Sequence, residues 1–149
     1  MPSAEKVYVD PSALRSLYVH DDRAKRFCAW RRRLGGSLPV TRFGRAEVVN
    51  SIQLAVHREL IDGDTAQEAL ADLEDDLSTG RLTLVDALWR RTLDLAADLS
   101  LRYTGKLGTR TLDVLHVATA VVLGSTHFAS YDHRQSALAK ALGLKALAP

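Results

Sequence analysis

Four acidic residues, Asp10, Glu47, Asp113 and Asp132, each stand close to a change of local pattern. Asp10 ends the short apolar run "KVYVD", and Asp132 ends a similar run, "THFASYD". Glu47 falls about one and a half helical turns after "LPVT", and Asp113 lies early in the apolar segment "TLDVLHVATAVVLG". Two unit charges about 4 Å apart repel by roughly 4 kcal/mol at an effective dielectric of 20. A cluster of carboxylates therefore takes up protons or binds cations. Oxygen-only donors at a wet rim suit Mg²⁺ or Mn²⁺, which bind through a few carboxylates and keep several waters. The matching chemistry is metal-assisted phosphodiester hydrolysis, in which the ion activates water and neutralises charge on the phosphate. It needs no serine, cysteine or histidine nucleophile.

Every one of these acids also has a structural explanation. Asp10 is a good helix N-cap, with Pro11 at the first helical position. Asp132 can cap the next helix, with Gln135 three residues on in a near capping box. Asp113 can complement a helix dipole, although Leu112, Val114 and Leu115 around it imply a partly buried place that demands a partner. Glu47, with Asn50 and Ser51 one turn on, can face solvent. The run Asp72, Glu74, Asp75 and Asp76 lacks the apolar interleaving of a site and reads as a solvated helix face.

The elements that would position the acids alternate between strand and helix. Strands are expected at "KVYVD", "SLPVT", "GRLTLVD", "THFASYD" and "LKAL". Helices are expected at about 12–19, 22–34 (closed by Gly35 and Gly36), 42–60, 65–77 with Thr65 as cap, 87–103, the "TLDVLHVATAVVLG" segment and "HRQSALAKALG", while "TGKLGTR" reads as a loop. Strands separated by helices imply a parallel sheet with right-handed crossovers. Its carboxyl edge would collect Asp10 and Asp132, and the helices starting there would bring Glu47 and Asp113.

The 149 residues fit one domain, 1–149, with 46% hydrophobic and 26% charged residues and a net charge of +2 that decides nothing about nucleic acid. Basic residues crowd one early segment, "RAKRFCAWRRR", where Phe27 and Trp30 would anchor a helix whose other side offers charge to RNA or a partner. The one cysteine, Cys28, excludes an internal disulfide and suits a cytoplasmic protein. No apolar leader opens the chain, and the uncharged stretch 114–131 is cut by "GSTH", which reads as buried helix, turn and strand rather than a membrane span.

Taken in order, "VYVDPSAL", "VTRFGRAEVVN", "RTLDVLHVATA" and "FASYDHRQSALAKALGLK" resemble the PIN-domain ribonucleases, and among them the VapC toxins of bacterial toxin–antitoxin pairs. The resemblance spans nearly the whole chain and rests on the ordered set, since no one piece is specific alone. It implies a three-layer α/β/α sandwich with a mainly parallel five-stranded sheet. It also implies an endoribonuclease dependent on Mg²⁺ or Mn²⁺ that cuts transfer, ribosomal or messenger RNA and arrests translation. A homodimer or higher assembly, and inhibition by a cognate VapB-like antitoxin, complete the expectation.

On that resemblance Asp10, Glu47, Asp113 and Asp132 are the catalytic and metal-holding residues, with Ser12 and Thr41 orienting ligands or water behind them. Arg42, Arg110 and Arg134 flank the acids as candidates for gripping RNA phosphates. His116, three residues after Asp113, reads as a packed histidine bonded to backbone. A receiver-type signalling domain would need paired acids at the first strand, and a haloacid-dehalogenase-type phosphatase a second aspartate where Ser12 stands. A nucleotide-binding domain would need a glycine-rich loop after that strand. The remaining alternative is a noncatalytic PIN-like scaffold that binds RNA or protein.

Overall fold

A computed structural model describes residues 1–149. After a 3₁₀ turn, β1 (Val7–Val9) leads into the short helix α1 (Pro11–Leu14), a second 3₁₀ turn and α2 (Ala24–Arg33). Next come β2 (Leu38–Thr41), α3 (Arg42–His57), α4 (Gly63–Ser78), β3 (Leu82–Val85) and α5 (Trp89–Leu99). A π-helical turn over Ser100–Thr104 joins α5 to α6 (Gly105–Leu107), followed by α7 (Thr111–Val122), β4 (His127–Ala129), α8 (His133–Ala141) and β5 (Lys145–Leu147).

Alternation along β1 accounts for the layers. Val7 and Val9 join a core cluster with Leu14, Phe27, Ile52 and Leu73, so α1 to α4 cover one face of the sheet. Tyr8, between them, joins Leu99, Val114, Phe128 and Leu138 on the other face, under α5, α7 and α8. Each such side chain, fully buried, contributes about 1.5–3 kcal/mol. The arrangement is α/β/α, and every strand pairing is parallel, as alternating elements require.

The five strands do not form one continuous ladder. β1, β4 and β5 pair in one sheet and β2 and β3 in another. Pro39 explains the break. The Leu38 amide donates to the Arg81 carbonyl on the β3 side, so by alternation the next nitrogen faces β1, and it belongs to proline. β1 and β2 lie side by side at this seam, clasped at one end by the Ala4 amide donating to the Gly35 carbonyl at 2.9 Å.

Several boundaries differ from those expected. Asp62, not Thr65, caps α4, its Oδ1 accepting the Thr65 amide at 2.8 Å, and this backbone bond, then the Thr65 hydroxyl, hold its carboxyl below the usual range. α5 starts at Trp89 because Leu88 stands in the left-handed region (φ +49°), where a helix cannot begin. Part of the expected loop "TGKLGTR" is helical through Leu107 and ends where Gly108 takes φ +65°. No helix is long and apolar enough to cross a membrane.

Candidate metal site at the carboxyl ends of the strands

Asp10 occupies the N-cap position of α1, yet its side chain makes no capping bond. Its oxygens point elsewhere: Oδ2 accepts the Ser12 hydroxyl, and Oδ1 accepts the Gln135 side-chain amide at 3.1 Å. Gln135 Oε1 accepts the Ser130 hydroxyl at 2.7 Å, and Ser130 Oγ accepts the Asp132 amide at 3.0 Å. Asp132 closes the circuit by capping α8, its Oδ1 accepting the Gln135 backbone amide at 2.9 Å. Asp10, Ser130 and Gln135 are all buried, so this polar network is satisfied internally. The structural explanation of Asp132 and its place at the sheet edge therefore coexist.

Asp113, in the first turn of α7, accepts the Arg110 backbone amide at 3.1 Å and lies 3.7 Å from Arg110 Nε. Its side chain is 16% exposed and that of Arg110 76%, so the carboxylate is held while the arginine stands out at the rim. Glu47, on α3, is 28% exposed and accepts from His116 Nε2, with 3.0 Å to Oε1 and 3.1 Å to Oε2. The expectation that His116 bonds to backbone is thus corrected. Its partners are side chains, Glu47 on one nitrogen and the Tyr8 hydroxyl, 2.7 Å from Nδ1, on the other.

Asp10, Ser12, Glu47, Asp113, His116, Asp132 and Gln135 line a single cleft of about 540 Å³, with Arg110, Thr111 and Leu112 at its side. A cavity of about 600 Å³ at the opposite edge of the sheet, between Lys6, His127 and Lys145, has no carboxylate, and its chemistry does not suit a cation. In the acidic cleft no three histidine, cysteine or acidic side chains meet closely enough to grip one ion unaided. The donor set fits a hard divalent cation that takes one or two carboxylates and fills its other positions with water.

Other expected residues lie outside the cleft lining. Thr41 caps α3, its hydroxyl accepting the Gly44 amide at 2.8 Å. Arg42 lines a separate depression with Arg45, Glu74 and Leu84, and Arg134 reaches toward the Gly108 carbonyl at 3.5 Å. Of the three arginines named for phosphate, Arg110 alone borders the acids. The basic helix α2 also departs from expectation: Arg31 is buried and donates to the carbonyls of Leu34, Gly36 and Arg81 at 2.7–3.0 Å. Nor is the acidic run simply solvated, since Asp76 accepts the Tyr18 hydroxyl at 2.8 Å and Glu74 pairs with Arg45.

The PIN domain family profile matches residues 7–141, from the first residue of β1 to the last of α8. The chain belongs to the PIN domain family. A comparison with curated proteins found no match. PIN domains are generally nucleases that use divalent metal ions, and the carboxylate cleft of this PIN domain has the donor chemistry for that work. Sequence reasoning missed Tyr8, Ser130 and the reach of Gln135 to Asp10. The one signal for Gln135 was its spacing from Asp132, which speaks of capping and not of a residue 125 positions away.

Proposed function

We propose that this PIN domain is an endoribonuclease dependent on Mg²⁺ or Mn²⁺ and acts as the toxin of a toxin–antitoxin pair. The reading is supported above all by one observation: carboxylates from four separate segments line a single cleft at the carboxyl edge of the sheet. Asp10, Glu47, Asp113 and Asp132 are the residues that would hold a divalent ion. When bound, such an ion lowers the pKa of an attacking water and offsets charge on the scissile phosphate. Ser12 fixes one oxygen of Asp10 and Gln135 the other, so the carboxylate is oriented before any ligand arrives. Arg110, exposed beside Asp113, would meet an RNA phosphate in this reading. The substrate in this reading is a cellular transfer, ribosomal or messenger RNA, the inhibitor a VapB-like antitoxin, and the working form a homodimer in the cytoplasm.

One observation favours a noncatalytic scaffold, namely that no three acidic or histidine side chains meet at one point. The two readings part in a single experiment. Asp10→Asn and Asp113→Asn proteins are compared with the unaltered chain for Mn²⁺-dependent RNA cleavage, growth arrest on expression, and Mn²⁺ binding by calorimetry. The nuclease reading expects all three to fall together in folded variants. Undiminished cleavage by either variant removes it. Mapping new RNA ends after brief expression identifies the target.

A further inference from the structure

Glu47 is the one acid of the cleft whose carboxylate is held from behind by a buried ring. His116 is 1% exposed and wedged between aromatic side chains. Phe43 stacks on it at 5.1 Å with an interplanar angle of 13°, and Tyr8 lies tilted at 5.9 Å. Phe43 is in turn braced edge-on by Trp89 at 5.5 Å. The ring can neither turn nor leave without disturbing three helices and a strand.

Both ring nitrogens bond to side chains, on opposite sides of the ring. The Tyr8 hydroxyl lies 2.7 Å from Nδ1. A carboxylate can only accept, so Nε2 carries the hydrogen shared between the two Glu47 oxygens at 3.0 and 3.1 Å. A carboxylate gripped on this side presents its remaining lone pairs to the cleft.

We propose that His116, locked by Tyr8, is a positioning residue for Glu47 and sets how tightly the acidic cleft takes a divalent cation. The inference rests on the metal-dependent reading above and deepens it. Helix α3 gives Glu47 several rotamers at a half-open surface, and the histidine selects one of them before the ion arrives. Outer partners of metal-holding side chains are worth about 10–100-fold in affinity. The aromatic brace of Phe43 and Trp89 keeps the ring in place.

The test measures Mn²⁺ binding to the whole chain by calorimetry and by electron paramagnetic resonance of the ion. His116→Phe keeps an aromatic plate against Phe43 and removes both nitrogens. It is expected to weaken Mn²⁺ about tenfold or more, and His116→Gln, whose amide can donate near the Nε2 position, recovers most of that loss. Adding His116→Phe to Glu47→Ala is expected to weaken binding no further, because the histidine acts through that carboxylate. Circular dichroism and thermal melting check the fold of each variant. If His116→Phe does not fold, Tyr8→Phe carries the test: it leaves the ring and removes its bond at Nδ1, and several-fold weaker Mn²⁺ is expected. Binding that depends on Asp10 and Asp113 but is unmoved by the His116 and Tyr8 variants leaves the site standing and overturns the positioning role. Equal losses with and without Glu47 also overturn it. Binding indifferent to Asp10 and Asp113 removes the metal site and the proposal with it.

Discussion

The side-chain amide of Gln135 donates to Asp10 Oδ1 at 3.1 Å, tying the first turn of α8 to the end of β1 across 125 residues of chain. Through Ser130 and Asp132 the same glutamine belongs to a closed polar circuit in which each buried group has a partner. Such a circuit is costly to open, because a buried acceptor without a donor keeps its full desolvation penalty.

Gln135→Leu removes both side-chain links at once. The loss expected in chemical denaturation is about 1–3 kcal/mol, from the unpaired Asp10 oxygen and Ser130 hydroxyl. Gln135→Glu does not restore it, since a carboxylate cannot donate to Asp10. A midpoint unchanged within error for Gln135→Leu would show that water replaces the amide at no cost.

Asp132 carries two roles that substitution can separate. Asp132→Asn keeps an oxygen to accept the Gln135 amide, so the cap survives while the negative charge goes. Melting close to that of the unaltered protein and weaker Mn²⁺ are the expected pair of results. Asp132→Ala loses the cap as well and is expected to cost about 0.5–2 kcal/mol. Equal stability of the two variants would contradict the capping role.

The buried phenols predict an alkaline limit. Burial drives ionisation of Tyr8 and Tyr18 far above the ordinary phenol range, with the Asp10 and Glu47 charges adding to it at Tyr8 and Asp76 at Tyr18. A group whose folded pKa lies above its unfolded value contributes its full stabilisation below the unfolded value, about 10, and loses it as pH rises further. Stability is therefore expected to be flat below about pH 10 on this account and to fall above it. Of the four tyrosines, these two should ionise only as the chain unfolds, which ultraviolet difference absorbance reads directly. Early ionisation of all four in the folded protein would contradict the burial.

Arg31 is the basic residue whose loss should hurt the fold most. Arg31→Met leaves the Leu34 and Gly36 carbonyls without their donor, and the Arg81 carbonyl with the Leu38 amide alone, and is expected to cost about 3 kcal/mol. Arg31→Lys recovers little, because a single ammonium cannot span three acceptors with the planar fork of a guanidinium. Parallel substitution of the exposed Lys25 should leave the melting temperature near its starting value.

The layer order and the five strands were legible because hydrophobic runs, turn residues and their alternation are local signals. The four acids could be placed at one edge because parallel strands share a carboxyl end. What escaped was orientation. In α7 every residue from Val114 to Ala120 is buried, so no polar face announces that His116 turns toward α3. The stretch "DGDT" offers several capping side chains, and only the backbone decides for Asp62 over Thr65. Pro39 stands near the start of its strand, where proline is tolerated. Its consequence, an interrupted ladder, depends on which neighbour its nitrogen faces.

That interruption gives the molecule a joint. Asp10 and Asp132 follow strands of the β1–β4–β5 ladder, whereas Glu47 follows β2 on the far side of the seam. The acidic cleft thus straddles the one line where strand-to-strand bonding lapses, and the Glu47–His116 bond works as a staple across it. Val7 and Val9 of β1 share one buried cluster with Leu38 and Val40 of β2, so apolar packing and that staple, rather than a ladder, keep the seam shut. Glu47→Ala removes the staple and leaves the packing, so its melting temperature should fall only slightly.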